Sequence, residues 1–300
     1  MKYAIIGTGA IGGYYGGKLA NAGFDVHFLL HSDYDYVRQH GIQVNSCNGD
    51  FHLDAPNIYN NVEEMPKVDV VIVALKSTNN HLLRQLLAPL LNPGTLVLMI
   101  QNGIGIEPDV EKLFPDAWLA AGLAFICSNK TKPGIVDHLF YGNINIGNYS
   151  APKPVIDTLI ADFDKAGVKA FDVDYLEARW KKAVWNMPFN GMSVVLNAQT
   201  DQLLADASTR ALIKAQMMEV VMAANALGVE NIDEAFADKM IANTDAMVPY
   251  SPSMKLDHDY HRPMEVYYLY TRPIQEAASA GVDMPLLKDL EQKLLKIIGG

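Results

Sequence analysis

Cysteine is nearly absent from this sequence. Cys47 and Cys127 stand far apart, and neither belongs to a CxxC pair or to a Cys/His spacing. That excludes a disulfide framework and a thiolate metal signature, and it suits a reducing compartment. Each thiol is expected to be a small buried hydrophobe. Positive charge is also in deficit: 24 Lys and Arg face 34 Asp and Glu, for a formal net charge of -10. Such a surface repels phosphate backbones and anionic lipid, so neither nucleic acid nor membrane is expected as a partner. Long apolar runs are missing too. The runs at 68–75 and 95–100 have the length of strands, far below a membrane span. The opening MKYAIIGTG turns to glycine after a few apolar residues, too soon for a signal-peptide core, and a cytoplasmic protein is the expectation. Internal repeats and low-complexity tracts are lacking.

What is present fits a chain able to bury its own core. Half of the 300 residues are hydrophobic and 19% are charged, and the length suggests two domains. In the first half, short apolar runs at 3–6, 26–30, 68–75 and 95–100 alternate with helical patterns at 11–22 and 81–91. The run VDVVIVAL is β-branched throughout, as a strand covered on both faces requires. Strands alternating with helices predict an α/β fold, a Rossmann-type doubly wound sheet. Beyond residue 175 the β-branched runs give way to helix formers, with a C-terminal stop at Gly228. The expected organisation is a dinucleotide-binding domain at 1–171 and an all-helical domain at 172–300.

The first strand leads directly into Gly7-Thr8-Gly9-Ala10-Ile11-Gly12, a GxGxxG turn that opens a helix. The first glycine permits the tight turn, the second lets backbone approach a pyrophosphate, and the third lets helix pack on strand. A lone GxGxxG is a weak signal, but the strand before it and the helix after it are the context that dinucleotide binding needs. At the end of the second strand stand His31 and Ser32, with Asp33 slightly beyond. No acid sits at the strand end, which permits a 2′-phosphate, although His31 is equally readable as a solvated loop residue. Lys76 and Asn102 each follow a buried strand, where ligands of open α/β sheets bind. By itself Asn102-Gly103 also reads as a turn.

In the second half, Lys182, Asn186 and Asn190 recur every fourth residue and share one helical face among Val184, Trp185, Met187 and Phe189. A desolvated asparagine is costly unless its amide is paired, so the stripe suggests a polar ligand; a solvated stripe is the alternative. Pro188 is expected to bend this helix. Ser253 lies at a loop or helix start, and Glu265 is an isolated acid ahead of an apolar stretch, readable as a surface or helix N-terminal charge.

Taken in order, these pieces resemble the ketopantoate reductase family over almost the whole chain: GxGxxG, LK at 75–76, QNG at 101–103, WKKxxxNxxxN at 180–190, SM at 253–254 and ME at 264–265. The resemblance implies reduction of a small 2-keto acid, 2-dehydropantoate to pantoate, by hydride from NADPH, with NAD not excluded. It assigns Lys182 as general acid and Glu265 as the acid that orders the site. It gives Asn102 to cofactor and substrate, Asn186 and Asn190 to the substrate hydroxyl, Ser253 to the carboxylate, and Lys76 to the nicotinamide side. Gly7, Thr8, Gly9, Ala10, Ile11, Gly12, His31 and Ser32 would hold the dinucleotide, and Glu265 interacts with it. The sequence departs from the family at Tyr250, Leu256-Asp257 and Tyr270-Thr271, and carries His31 where a basic residue is frequent. Another branched or aromatic 2-keto acid is therefore the alternative substrate, and a non-catalytic dinucleotide-binding redox sensor the alternative of another class. The sequence is compatible with a homodimer and does not decide the oligomeric state.

Overall fold

A computed structural model describes residues 1–299. The chain divides into two compact units, Met1–Gln101 with Ile106–Tyr175, and Asn102–Gly105 with Leu176–Gly300.

The first unit is built on one sheet of ten strands: β1 (Lys2–Ile6), β2 (Asp25–Leu29), β3 (Ile42–Ser46), β4 (Phe51–Leu53), β5 (Asn57–Tyr59), β6 (Val70–Val73), β7 (Leu96–Met99), β8 (Trp118–Lys132), β9 (Ile135–Asn148) and β10 (Ala170–Val173). Their order is β4-β3-β9-β8-β7-β6-β1-β2-β5, with β10 also on β9. The β5-β2-β1-β6-β7-β8 run is parallel throughout. Its central strands β6 and β7 are buried along their full length, as all-apolar VVIV and LVLM demand. From β1 the chain steps to β2 on one side and later to β6 on the other, so the order reverses at β1. Ligands of doubly wound sheets bind at such a switch point, and the glycine turn follows β1.

Three features differ from the sequence expectation. The segment after residue 117 forms a long antiparallel hairpin, β8 with β9, whose register shifts at three places. The first half of β8 is buried in the sheet and its second half mixes half-buried with exposed residues. The two strands are joined by a tight turn, Lys132 pairing with Ile135, and antiparallel pairing needs no helical crossover between them. The cysteines also depart from expectation: Cys47 is exposed just past β3 and Cys127 is half-buried in β8, both as free thiols. The helical pattern at 81–91 is realised as a short α-helix, Leu83–Leu87, flanked by 3-10 turns.

The second unit is helical. Its helices are Tyr175–Val195, Thr200–Ala205, Ala207–Ala226, Glu234–Asp245, Ser253–Asp259, Arg272–Ser279 and Pro285–Gly299. Trp180, Met187, Phe189, Met217 and Leu287 belong to one apolar cluster at its centre. Helix Ala207–Ala226 ends before Gly228, whose φ of 89° provides the left-handed stop. Glu219 is buried and accepts from the amides of Leu286 (2.8 Å) and Leu287 (2.9 Å), so its carboxylate caps the last helix. Pro188 is accommodated inside an uninterrupted helix. Among the described residues no helix is long and apolar enough to cross a membrane, and no group of three or more His, Cys, Asp or Glu is arranged to hold a metal ion.

Candidate active site

The glycine turn has the geometry its spacing implies. Gly7 has a φ of 98°, and a Cβ there would lie 2.5 Å from the amide nitrogen of Leu75. A Cβ on Gly12 would lie 2.3 Å from the carbonyl oxygen of Gly7. Both positions exclude a side chain by collision with backbone, which cannot retreat. At Gly9 a Cβ would meet no protein atom within 4 Å, so the second glycine borders open space at the start of helix Ala10–Asn21. That first turn carries no acidic residue, and its unpaired amides favour an anion. Thr8 is held by its hydroxyl, which donates to the carbonyl of Leu29 at 2.9 Å. The turn therefore fits a dinucleotide pyrophosphate.

At the end of β2, His31 and Ser32 are exposed while Asp33 is buried. Asp33 occupies the N-cap position of helix Tyr34–His40 yet makes no cap hydrogen bond. Its carboxylate is drawn elsewhere: to Lys130 of β8 at 2.5 Å, to the amide of Gly134 at 2.9 Å and to the hydroxyl of Ser32 at 3.1 Å. Burial alone would raise this carboxyl, but those three donors hold it below the ordinary aspartate range.

Beyond β6 and β7 the chain is cross-linked by Gln101, which is buried and donates to the carbonyl of Leu75 (2.8 Å) and to Asn80 Oδ1 (2.7 Å). This tie holds in place the loop that carries Lys76. The motif is then divided, for Asn102–Gly105 belong to the helical unit. There the amide of Ile104 donates to the carbonyl of Tyr268 at 3.0 Å. Asn102 is thus positioned by the backbone that follows Glu265.

On helix Tyr175–Val195 the stripe is inside the protein: Asn186 and Asn190 are buried and Lys182 is half-buried. The solvated-stripe alternative is overturned by packing of the flanking apolar residues. Asn190 donates to the carbonyl of Asn186 at 2.9 Å, and its Oδ1 accepts from the amide of Met254 at 3.0 Å and from Ser253 Oγ at 3.4 Å. Asn190 and Ser253 are therefore brought together, with the asparagine fastening the start of helix Ser253–Asp259. Glu265 is buried rather than a surface charge, and it lies two residues before a π-helical turn, Tyr267–Thr271. Tyr270 of that turn donates to the carbonyl of Met187 at 2.6 Å.

Lys182 carries the electrostatic signature of the unit. Burial, and then the neighbouring Arg179 guanidinium, lower its ammonium from 10.5 to about 7, against the raising influence of Glu265. Arg179 is buried and was not singled out from the sequence. The signal was present, since it lies three residues before Lys182 and extends the same helical face.

A parallel sheet reversing at such a turn is the framework of dinucleotide enzymes. A desolvated lysine beside a carboxylate is what protonating a reduced carbonyl needs. Together they define the class, a nicotinamide-dependent oxidoreductase. Comparison narrows this, and the chain belongs to the ketopantoate reductase family: the family profile "Ketopantoate reductase PanE/ApbA" matches residues 3–151 and its C-terminal counterpart matches residues 174–296. The chain is 47% identical over 300 residues to a 2-dehydropantoate 2-reductase of Nostoc sp., covering 98% of this chain and 94% of that protein. Among solved structures it is similar to the 2-dehydropantoate 2-reductase of Geobacter metallireducens, with a TM-score of 0.95, 38% identity and 99% of each chain covered. A second, from Methylococcus capsulatus, gives a TM-score of 0.91 at 32% identity, over 100% of this chain and 97% of that one. The family's enzymes use NAD(P)H.

Proposed function

We propose that this enzyme reduces the ketone of 2-dehydropantoate to give pantoate, with NADPH as the preferred cofactor and Lys182 as the general acid. The observation that carries the reading is the half-buried Lys182 ammonium, brought to about 7 with Arg179 and Glu265 as its charged neighbours. A general acid works best when its pKa lies near the working pH. Gly7, Thr8, Gly9, Ala10, Ile11 and Gly12 would hold the pyrophosphate, His31 and Ser32 would face the adenosine ribose, and Lys76 and Asn102 would lie toward the nicotinamide. When bound, the reduced nicotinamide supplies the hydride.

The chain's own residues supply the rest. Negative charge grows on the ketone oxygen as the carbonyl is reduced, and Lys182 stabilises it before passing one proton to it. The products are a secondary alcohol and a neutral lysine, which recovers its proton from water. Glu265 keeps the ammonium populated in a desolvated setting and orders the cofactor side. Asn186 takes the substrate hydroxyl. Ser253 takes the carboxylate, and Asn190, whose amide already serves Met254 and Asn186, aims that hydroxyl.

Two of the departures from the family pattern are structural. Asp257 is buried and paired with Arg262 at 3.1 Å, and Tyr270 is bonded to Met187, so both serve the helical scaffold. The test is a panel of 2-dehydropantoate, 2-oxoisovalerate and phenylglyoxylate with NADPH and with NADH. A site built for a substrate hydroxyl should prefer 2-dehydropantoate by at least about a hundredfold in kcat/KM. Equal turnover of 2-oxoisovalerate would refute the substrate. Lys182→Met should lose about a thousandfold or more in kcat while binding NADP⁺ as wild type does. Retained turnover would refute the acid.

A further inference from the structure

We propose that Lys130, at the far end of β8, is a cofactor-specificity residue: by holding Asp33 it removes the acid that would read the ribose diol of NAD and leaves the turn open to a 2′-phosphate. The inference rests on the dinucleotide reading of the glycine turn and deepens it. Three observations carry it.

First, Asp33 lies just past the strand end from which NAD-binding sheets extend a carboxylate to the ribose hydroxyls. Here that carboxylate is buried, and each oxygen already accepts: Oδ2 from Lys130 and the Gly134 amide, Oδ1 from Ser32. An aspartate at an N-cap ordinarily bonds the helix amides, and this one does not. Second, the ammonium that claims it also donates to the carbonyl of Thr8 at 3.1 Å, inside the GxGxxG turn. One lysine thus joins the phosphate-binding turn to the strand end that faces the ribose. Third, the hairpin exists in the right place for this: Gly134, at its tip, both bonds Asp33 and accepts from the amide of Gln43 at 2.9 Å. Lys130 keeps 28% of its side-chain surface, and its ammonium reaches the turn through its bond to Thr8.

Charge decides the consequence. With Lys130 present, Asp33 is neutralised and a phosphate on the 2′ oxygen meets no net repulsion, while His31 and Ser32 remain exposed to bond it. Without Lys130, an ionised carboxylate stands beside that phosphate with no counter-charge, and NADP⁺ is penalised where NAD⁺ is not.

The experiment is calorimetric titration of NADP⁺ and NAD⁺ into the wild type, Lys130→Met, Asp33→Asn/Lys130→Met and Lys130→Arg, with circular dichroism as the folding control. Lys130→Met should lower the NADP⁺-to-NAD⁺ affinity ratio by about tenfold or more, the double variant should recover most of it, and Lys130→Arg should keep it. Equal weakening of both cofactors in Lys130→Met, without recovery in the double variant, means that the pair only braces the hairpin and overturns the proposal. If Lys130→Met does not fold, a lowered ratio in Lys130→Arg would overturn it instead. A wild type that binds NAD⁺ more tightly than NADP⁺ would refute the NADPH assignment alone, because the role of Lys130 is read from the change in ratio.

Discussion

The charges around Lys182 allow a prediction with a sign on each side. Lys182 is an ammonium below its pKa and a neutral amine above it, so ketone reduction that needs the ammonium is full at low pH and falls as pH rises through about 7. Glu265 raises that pKa and Arg179 lowers it. Replacing Glu265 by Gln keeps the volume and hydrogen-bonding shape but removes the negative charge. An opposite charge of this kind moves a pKa by about 1–3, so the alkaline limb should retreat to about 6 or below. At pH 7.5 the ammonium fraction would then drop from about a quarter to about 3% or less, an eightfold or greater loss before any direct role of Glu265 is counted. Arg179→Met should act in the opposite direction, carrying the limb to higher pH by about one unit or more, with at most about a fourfold gain at pH 7.5. The assay is the pH profile of kcat/KM for 2-dehydropantoate, followed by consumption of NADPH, for the three proteins over the same buffers. Opposite displacement of the two limbs supports Lys182 as the titrating acid. Profiles that keep the wild-type midpoint while only their heights change would refute this electrostatic account.

Two further predictions separate stability from binding. Gly7→Ala and Gly12→Ala force a Cβ against backbone and should lower thermal stability markedly, whereas Gly9→Ala should leave the melting temperature nearly unchanged and weaken NADP⁺ binding at least tenfold; thermal melts paired with calorimetry check both, and a Gly9→Ala protein with normal affinity would remove the turn from the cofactor site. In the helical unit, Glu219→Ala orphans the amides of Leu286 and Leu287, at a cost of about 2 kcal/mol and a melting temperature lower by about 4–8 °C, measured by scanning calorimetry; an unchanged melt would mean that the cost of burying the carboxylate, which raises its pKa, cancels the capping.

Much of the protein is legible in the linear chain because it is encoded locally. The glycine turn is a contiguous motif whose steric reasons hold position by position, and β6 and β7 announce their burial by composition alone. The four-residue recurrence of Lys182, Asn186 and Asn190 is likewise a property of one helix, and its face could be drawn before any fold was known. Single polar residues were harder. Glu265 read as a surface charge and is buried, since nothing within a few residues says that a π-helical turn will carry the chain inward there.

The tertiary structure decided what depends on distant partners. Lys130 meets Thr8 across 122 positions, and it does so only because β8 and β9 form a hairpin that no local period foretells. Asn190 looks like a ligand-gripping amide in the helix pattern, yet its partners include Ser253 and Met254, 63 and 64 positions away. The acidity of Lys182 follows the same rule. The sequence by itself determined the glycine turn, the central parallel strands and the polar face of the long helix, because backbone preference and periodicity act over a few residues. Which charges and amides end up side by side, and so which acids are muted and which lysine is tuned, was left to long-range packing, because Coulomb forces and desolvation answer to distance in space and not along the chain.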